Sequence, residues 1–282
     1  MSAKDSQLLK FIDEALDICK SIPKYFSKYS NKIFSNHQHL VLLVLKQKLR
    51  TTYKDLIELL KISQIPLYIG LNRLPHYTTL IKFNKKIKSS VIDYFINKKK
   101  GKKVAIDGSG FESGSRSYYY RTAWNGVKRR KKYVKLSIAV DVDTQDILSS
   151  KIRIGPRHDS IDFKKVLSGL EVDYVLADKG YDSKDLRKYV VKELKAVPQI
   201  PYRNFSGIAK RGKLIFPKFN QNIYRHRSKV ETAFSVIKRR YGADLLSKSF
   251  YAQKKELQFK LWAYNIDKAI RVSLIAFLRV SY

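Results

Sequence analysis

Leu8, Phe11, Ile12, Ala15, Leu16 and Cys19 recur at the spacing of one helix face, and Pro23 ends the run. The apolar stretch Leu40–Leu45 predicts a buried helix, Tyr53–Leu60 (YKDLIELL) a short amphipathic one, and Leu67–Leu74 another. Pro75-His76-Tyr77-Thr78-Thr79 supplies a turn and a hydroxyl cap for a long helix reaching about Ile96. Short helices separated by tight turns in a basic setting fit a helix-turn-helix-like DNA reader, although helix packing without DNA contact produces the same periodicity. Residues 1–97 are therefore expected to form an all-α, helix-turn-helix-like DNA-binding domain.

The pattern changes at Lys98-Lys99-Lys100-Gly101-Lys102-Lys103, a charge-dense break that marks the expected domain boundary. Val104–Asp107 reads as a buried strand ending on an acid. Tyr133–Val142 alternates as a strand, Asp143-Thr144-Gln145 turns, and Ile147–Ile154 returns as its hairpin partner. Asp159-Ser160 is read as the cap of a helix to about Leu170, and Tyr174–Asp178 as a second buried strand ending on an acid. A helix over Ser183–Leu194, a strand over Ala196–Ile200, a helix over about Asn222–Tyr241 and another from Gln253 complete the chain. This order predicts an α/β layer with helices flanking a mixed sheet, and it resembles the ribonuclease-H-like fold. Residues 98–282 are expected to be a catalytic domain of that kind.

Charge narrows the partners. Among 282 residues, 58 Lys and Arg stand against 24 Asp and Glu, a formal net charge of +34. A compact body with that charge repels itself unless a polyanion neutralises it, and nucleic acid gains counterion release on binding. A coding bias toward Lys would not by itself leave the acids so outnumbered; an anionic membrane is the weaker alternative. Hydrophobic residues at 44% allow a proper core, so the chain is not a disordered basic tail. Cys19 is the only cysteine, which excludes an intrachain disulfide framework and a cysteine zinc site and leaves a core thiol. The opening MSAKDSQLLKFIDEAL has no apolar signal core, and no apolar run reaches the length of a membrane span. The expected location is the cytoplasm, on the nucleoid, with no membrane association.

Two strand–acid junctions, Ile106-Asp107-Gly108 and Ala177-Asp178-Lys179-Gly180, place carboxylates where loops can form a site, and the glycines let a backbone or phosphate approach. Either alone is an ordinary turn acid. A third acid alters that balance. Tyr224, Arg227, Glu231 and Lys238 form the pattern Y-x2-R-x3-E-x6-K, which residue usage alone would produce about once in several hundred such chains. On a continuous helix these four fall within an arc of about 60°. Val230, Phe234, Ile237 and Tyr241 occupy the neighbouring core-facing arc, and Lys229 and Arg240 point away from both. A plain helix salt-bridge cluster is the competing account of Arg227, Glu231 and Lys238. His158-Asp159 is read as a cap with a packing histidine rather than a metal ligand. The basic and aromatic run Tyr118–Trp124, continuing through Lys128, Arg129, Arg130, Lys131 and Lys132, can contact phosphates and stack on bases; a solvated connection fits it equally.

With these motifs the chain resembles the DDE transposases of prokaryotic insertion sequences, in the branch marked by the YREK signature. The matching segments are Val104–Gly108 (VAIDG), Tyr133–Asp141 (YVKLSIAVD), Gly155–Ser160 (GPRHDS), Leu176–Tyr181 (LADKGY) and the final signature, with Tyr53–Leu60 and Leu74–Leu80 similar to the helical leader. The resemblance implies Asp107, Asp178 and Glu231 as catalytic residues and metal ligands, and Tyr224, Arg227 and Lys238 as DNA-binding signature partners. Only about Pro201–Gln221 stands where some members carry a large β-rich insertion. The implied activity is strand cleavage and strand transfer at the ends of an element, by a homodimer on double-stranded DNA that holds both ends and target. Three carboxylates suit Mg²⁺ (or Mn²⁺), with two ions about 3.5–4 Å apart stabilising the attacking and leaving oxygens. The alternatives are a nuclease of the same fold and an inactive or domesticated DNA-binding relative. Ribonuclease H itself is disfavoured, because Ser160–Leu170 lacks the Glu expected on its first helix.

Overall fold

The computed structural model describes residues 6–113, 133–202 and 219–280, with residues 274–280 by backbone alone. The chain forms two compact units: Met1–Phe95 with Arg240–Gly242 and Lys254–Tyr282, and Ile96–Arg239 with Ala243–Gln253.

The first unit begins with α1 (Gln7–Cys19), α2 (Asn36–Leu49), α3 (Tyr53–Lys61), α4 (Ile65–Tyr68), α5 (Tyr77–Lys86) and α6 (Ser89–Ile96). α1 buries Phe11, Ile12, Ala15 and Cys19, the expected stripe, and burial pushes the Cys19 thiol up to about 12, as befits a core thiol. Ser35 and Gln38 close a capping box at the start of α2, whose residues Leu40–Gln47 are all buried. Two expectations change. The helix expected over Leu67–Leu74 is one turn, opened by Pro66 and ended by Gly70 in the left-handed region (φ 67°). The long helix expected to Ile96 is split, because Ile87 takes extended backbone (φ −62°, ψ 136°) and turns its side chain into the core. Its start is not hydroxyl-capped either: His76 holds the cap position, and its ring meets the Thr78 hydroxyl at 2.8 Å.

The second unit contains β1 (Lys100–Ser113), β2 (Tyr133–Asp141), β3 (Ile147–Ile154), α7 (Ser160–Leu167), β4 (Glu171–Leu176), α8 (Lys184–Lys192), β5 (Val197–Gln199), α9 (Gln221–Tyr224), α10 (Ser228–Tyr241) and β6 (Asp244–Leu245). The sheet order is β3-β2-β1-β4-β5, with β6 also paired to β1. β1, β2 and β3 are antiparallel neighbours, whereas β4 and β6 run parallel to β1, and β5 parallel to β4. The β2–β3 turn is held by Asp141, whose Oδ1 accepts from the N–H groups of Asp143 and Thr144 at 2.8 Å. Val104, Ile106, Val175 and Ala177 join Phe163 and Val166 of α7 in one apolar core under the sheet. This is the expected mixed sheet with flanking helices.

The last helix, α11 (Phe250–Val280), returns from Lys254 onward to the first unit, whereas the sequence placed all of 98–282 in the catalytic domain. Its polar side chains find partners among the N-terminal helices. Lys255 donates to the Asn84 and Lys85 carbonyls at the end of α5, Gln258 bonds Ser89 and Asp93, and Asp267 pairs with Lys48 at 2.5 Å. The Trp262 ring lies 4.8 Å from that of Phe95. No helix among the described residues is long and apolar enough to cross a membrane.

Candidate active site

The parallel pairing of β1 with β4 runs to Ala105↔Leu176 and then stops. Two residues beyond that pair along each chain segment stand Asp107 and Asp178. β1 does not end there as the sequence suggested. It continues against β2 through Asp107↔Ile138 to Glu112↔Tyr133, so Asp107 lies in mid-strand on one side and past the end of the pairing on the other. The C-terminal edge of parallel strands is where the backbone diverges and side chains gain room for ligands. Each aspartate is steadied by the next peptide: Gly108 N–H donates to Asp107 Oδ1 at 2.8 Å, and Lys179 N–H to Asp178 Oδ1 at 2.6 Å. Asp178 thereby caps the short 3-10 turn Lys179–Tyr181.

The signature residues do not share one continuous helix. Tyr224 ends α9, Arg225–Arg227 is a 3-10 turn, and Glu231 and Lys238 lie on α10. The buried stripe is as expected, with Val230, Phe234, Ile237 and Tyr241 all in the core. Arg227 donates to Glu231 Oε1 at 2.5 Å and stands 3.8 Å from Asp107 Oδ2, and Tyr224 hydrogen-bonds it. The salt-bridge arrangement is therefore present for Arg227 and Glu231, and the same guanidinium reaches the first aspartate. Lys238 instead sets its ammonium 5.2 Å from the centre of the Phe111 ring on β1. Arg129 and Arg130 lie outside the described residues.

Burial, above all, pushes the Asp107 carboxyl up from its ordinary range; the Gly108 N–H and Arg227 oppose this, and the charges of Asp159 and Glu231 reinforce it. Tyr181 is 3% exposed, and its phenol is raised first by burial and then by Asp159, Asp107, Asp162 and Asp178. Asp159 was not expected here. A capping residue needs extended backbone, but Asp159 already has helical angles (φ −66°, ψ −29°) and makes no side-chain cap. Its carboxylate pairs with Lys135 of β2 instead, with Arg153 4.0 Å away. Arg153 in turn holds buried Asp162 at 2.6 Å and reaches the Arg157 and His158 carbonyls, which steadies the segment before α7. No spacing rule links residue 159 to 107, so only the fold could bring them together.

Among the described residues, no three Asp, Glu, His or Cys side chains stand close enough to hold one ion as they are. Arg227 lies on both Asp107 and Glu231. The donor set nevertheless fits a hard divalent cation. It is all carboxylate oxygen, two of its members are oriented by backbone N–H groups, and Asp107 is partly buried.

A mixed sheet flanked by helices, with an aspartate just past the last β1–β4 pair on each of the two strands, is a ribonuclease-H-like architecture. The comparisons with known proteins specify it further. Residues 98–266 match the family described as Transposase DDE domain, and the chain belongs to that family of DNA transposases, whose members use divalent metal ions. Among solved structures it is similar to a piggyBac transposase synaptic complex with hairpin DNA, at 11% identity and a TM-score of 0.51, over 96% of this chain and 74% of that one. That likeness concerns the fold. No curated protein matches the chain.

Proposed function

We propose that this transposase cuts and joins DNA at the ends of a prokaryotic insertion sequence of the YREK branch, with Asp107, Asp178 and Glu231 as its catalytic acids. The observation that supports the assignment is the register of β1 and β4, whose last pair lies two residues before Asp107 and before Asp178, with Arg227 near both Asp107 and Glu231. Asp107, Asp178 and Glu231 would hold Mg²⁺ or Mn²⁺, two ions in all, and the cations held there would supply activation of the attacking oxygen and charge stabilisation at the leaving one. The chain's own contribution is placement. The Gly108 and Lys179 N–H groups fix the aspartate rotamers, and Arg227 exchanges Glu231 for a phosphate oxygen when DNA arrives. Lys238, with Tyr224 and the segment holding Arg129 and Arg130, contacts the DNA backbone.

In the same reading the helical unit recognises the element ends. α5 buries Leu80 and Phe83 and exposes Lys82, Lys85 and Lys86, a basic face suited to a duplex. The active form is a homodimer on DNA, in the cytoplasm with the nucleoid. The test uses the full chain and labelled element-end duplexes. Asp107→Asn, Asp178→Asn and Glu231→Gln should each abolish metal-dependent cleavage and leave end binding within about twofold. Near-normal cleavage by any one removes that residue from the site. Denaturing gels of the products also distinguish hairpin-closed from open ends.

A further inference from the structure

Asp159 and Tyr181 are unexplained by the three-acid reading. The Asp159 carboxylate leaves its helix N-terminus uncapped and lies against the Cα of Gly108, the residue after Asp107. A Cβ built on residue 108 would meet Asp159 Cγ and Oδ1 at 3.0 Å, so the close approach depends on glycine there. Beneath them is the Tyr181 phenol. It is buried, it has no hydrogen-bond partner, and it lies within the field of Asp159, Asp107 and Asp178. A buried O–H without an acceptor is costly, and a ligand or its solvent shell would supply the missing partner.

We propose that Asp159 is a fourth carboxylate of this site, a positioning residue that acts on the bound divalent cation through solvent, which the unpartnered Tyr181 hydroxyl would also bond. The inference rests on the assignment of Asp107 as a metal ligand. Lys135 pairs with Asp159, and the proposal requires that this pair open when the cation's waters bind. Outer ligands of this kind hold the waters of a hard cation, which keeps part of its hydration shell in proteins.

The experiment is Mn²⁺ binding to the full chain without DNA, followed by electron paramagnetic resonance, with thermal melting of each variant alongside. Asp159→Asn should weaken Mn²⁺ binding about tenfold. Tyr181→Phe should weaken it about threefold with a melting temperature at or above wild type, because a buried unpaired hydroxyl is removed. Should Asp159→Asn unfold the chain by stranding Lys135, the paired change Asp159→Asn with Lys135→Met removes both charges and should show the same loss. Asp107→Asn is the control. If it abolishes Mn²⁺ binding while the folded Asp159 variant binds normally, Asp159 is a structural residue and the proposal fails alone. If Asp107→Asn also binds normally, the metal-site assignment itself fails and carries the proposal with it.

Discussion

Arg227 offers the sharpest test of the site's electrostatics, because its effects on folding and on metal binding should have opposite signs. Arg227→Met keeps the aliphatic stem and removes the guanidinium that now faces Asp107 and Glu231. The Glu231 pair is an i,i+4 contact with the glutamate 54% exposed, so its loss should cost only about 0.3–0.5 kcal/mol. The Asp107 contact is longer but more buried, with the side chains 20% and 24% exposed. At 3.8 Å an effective dielectric of about 20 gives roughly 4 kcal/mol, and screening by nearby water reduces this to on the order of 1 kcal/mol. A cation approaching these acids must displace or tolerate that guanidinium. Removing it should therefore tighten Mn²⁺ binding by about fivefold, the equivalent of about 1 kcal/mol. Titration calorimetry without DNA measures the affinity and a melting curve the stability. DNA cleavage at fixed salt should fall in the same variant. Unchanged or weaker Mn²⁺ binding in folded Arg227→Met would refute the idea that this side chain occupies the cation's place.

Three further outcomes follow from other parts of the chain. Asp267 receives Lys48 at 2.5 Å, Arg240 at 3.1 Å and the Tyr241 hydroxyl at 2.6 Å; Asp267→Ala strands the buried Tyr241 hydroxyl and the partly buried Lys48 and should cost about 2 kcal/mol by denaturant unfolding, and a change under about 0.5 kcal/mol would show the network to be idle. Burial lowers the Lys255 ammonium to about 8 from its ordinary 10.5, so its charging cost is fully present below pH 8 and is relieved as pH rises toward 10.5, where only the unfolded chain still binds the proton. Relative to Lys255→Met, wild type should thus gain on the order of 1 kcal/mol between pH 8 and 10; a constant difference would contradict it. Gly155→Ala would put a Cβ 2.4 Å from the Tyr133 ring and should yield little folded protein, which soluble expression and circular dichroism would report.

Features written in local periodicity were legible from the chain. The β2–β3 hairpin, the helix after it, the strand leading to Asp178 and the buried stripe of α10 all follow from alternation or helical spacing. What escaped depends on distant partners. Gly108-Ser109-Gly110 has poor strand propensity, yet β1 runs through it because β2 pairs along its whole length and β6 joins at Glu112 and Ser113. The break at Ile87 was hidden because Leu80, Phe83 and Ile87 keep an apolar rhythm across it. Of the proposed site, Asp107, Asp178 and Glu231 were put forward by expected strand ends and a motif, although β1 runs on past Asp107. Asp159 was misassigned because an aspartate before a serine-led helix normally caps it, and only the backbone angles remove that role.

The helical unit is assembled from segments on either side of the sheet unit in the sequence. During synthesis the ribosome delivers α1–α6 first, then the whole sheet, and only afterwards the helix bearing Lys255, Gln258, Trp262 and Asp267. Until then the emerging helices lack the partners that cap α5, cover Phe95 and neutralise Lys48. Folding of the first-made unit must therefore wait until α11, which follows the whole sheet unit, has been translated. A chain cut short by a late stop codon or frameshift would lose that unit's closure even with all three acids in place.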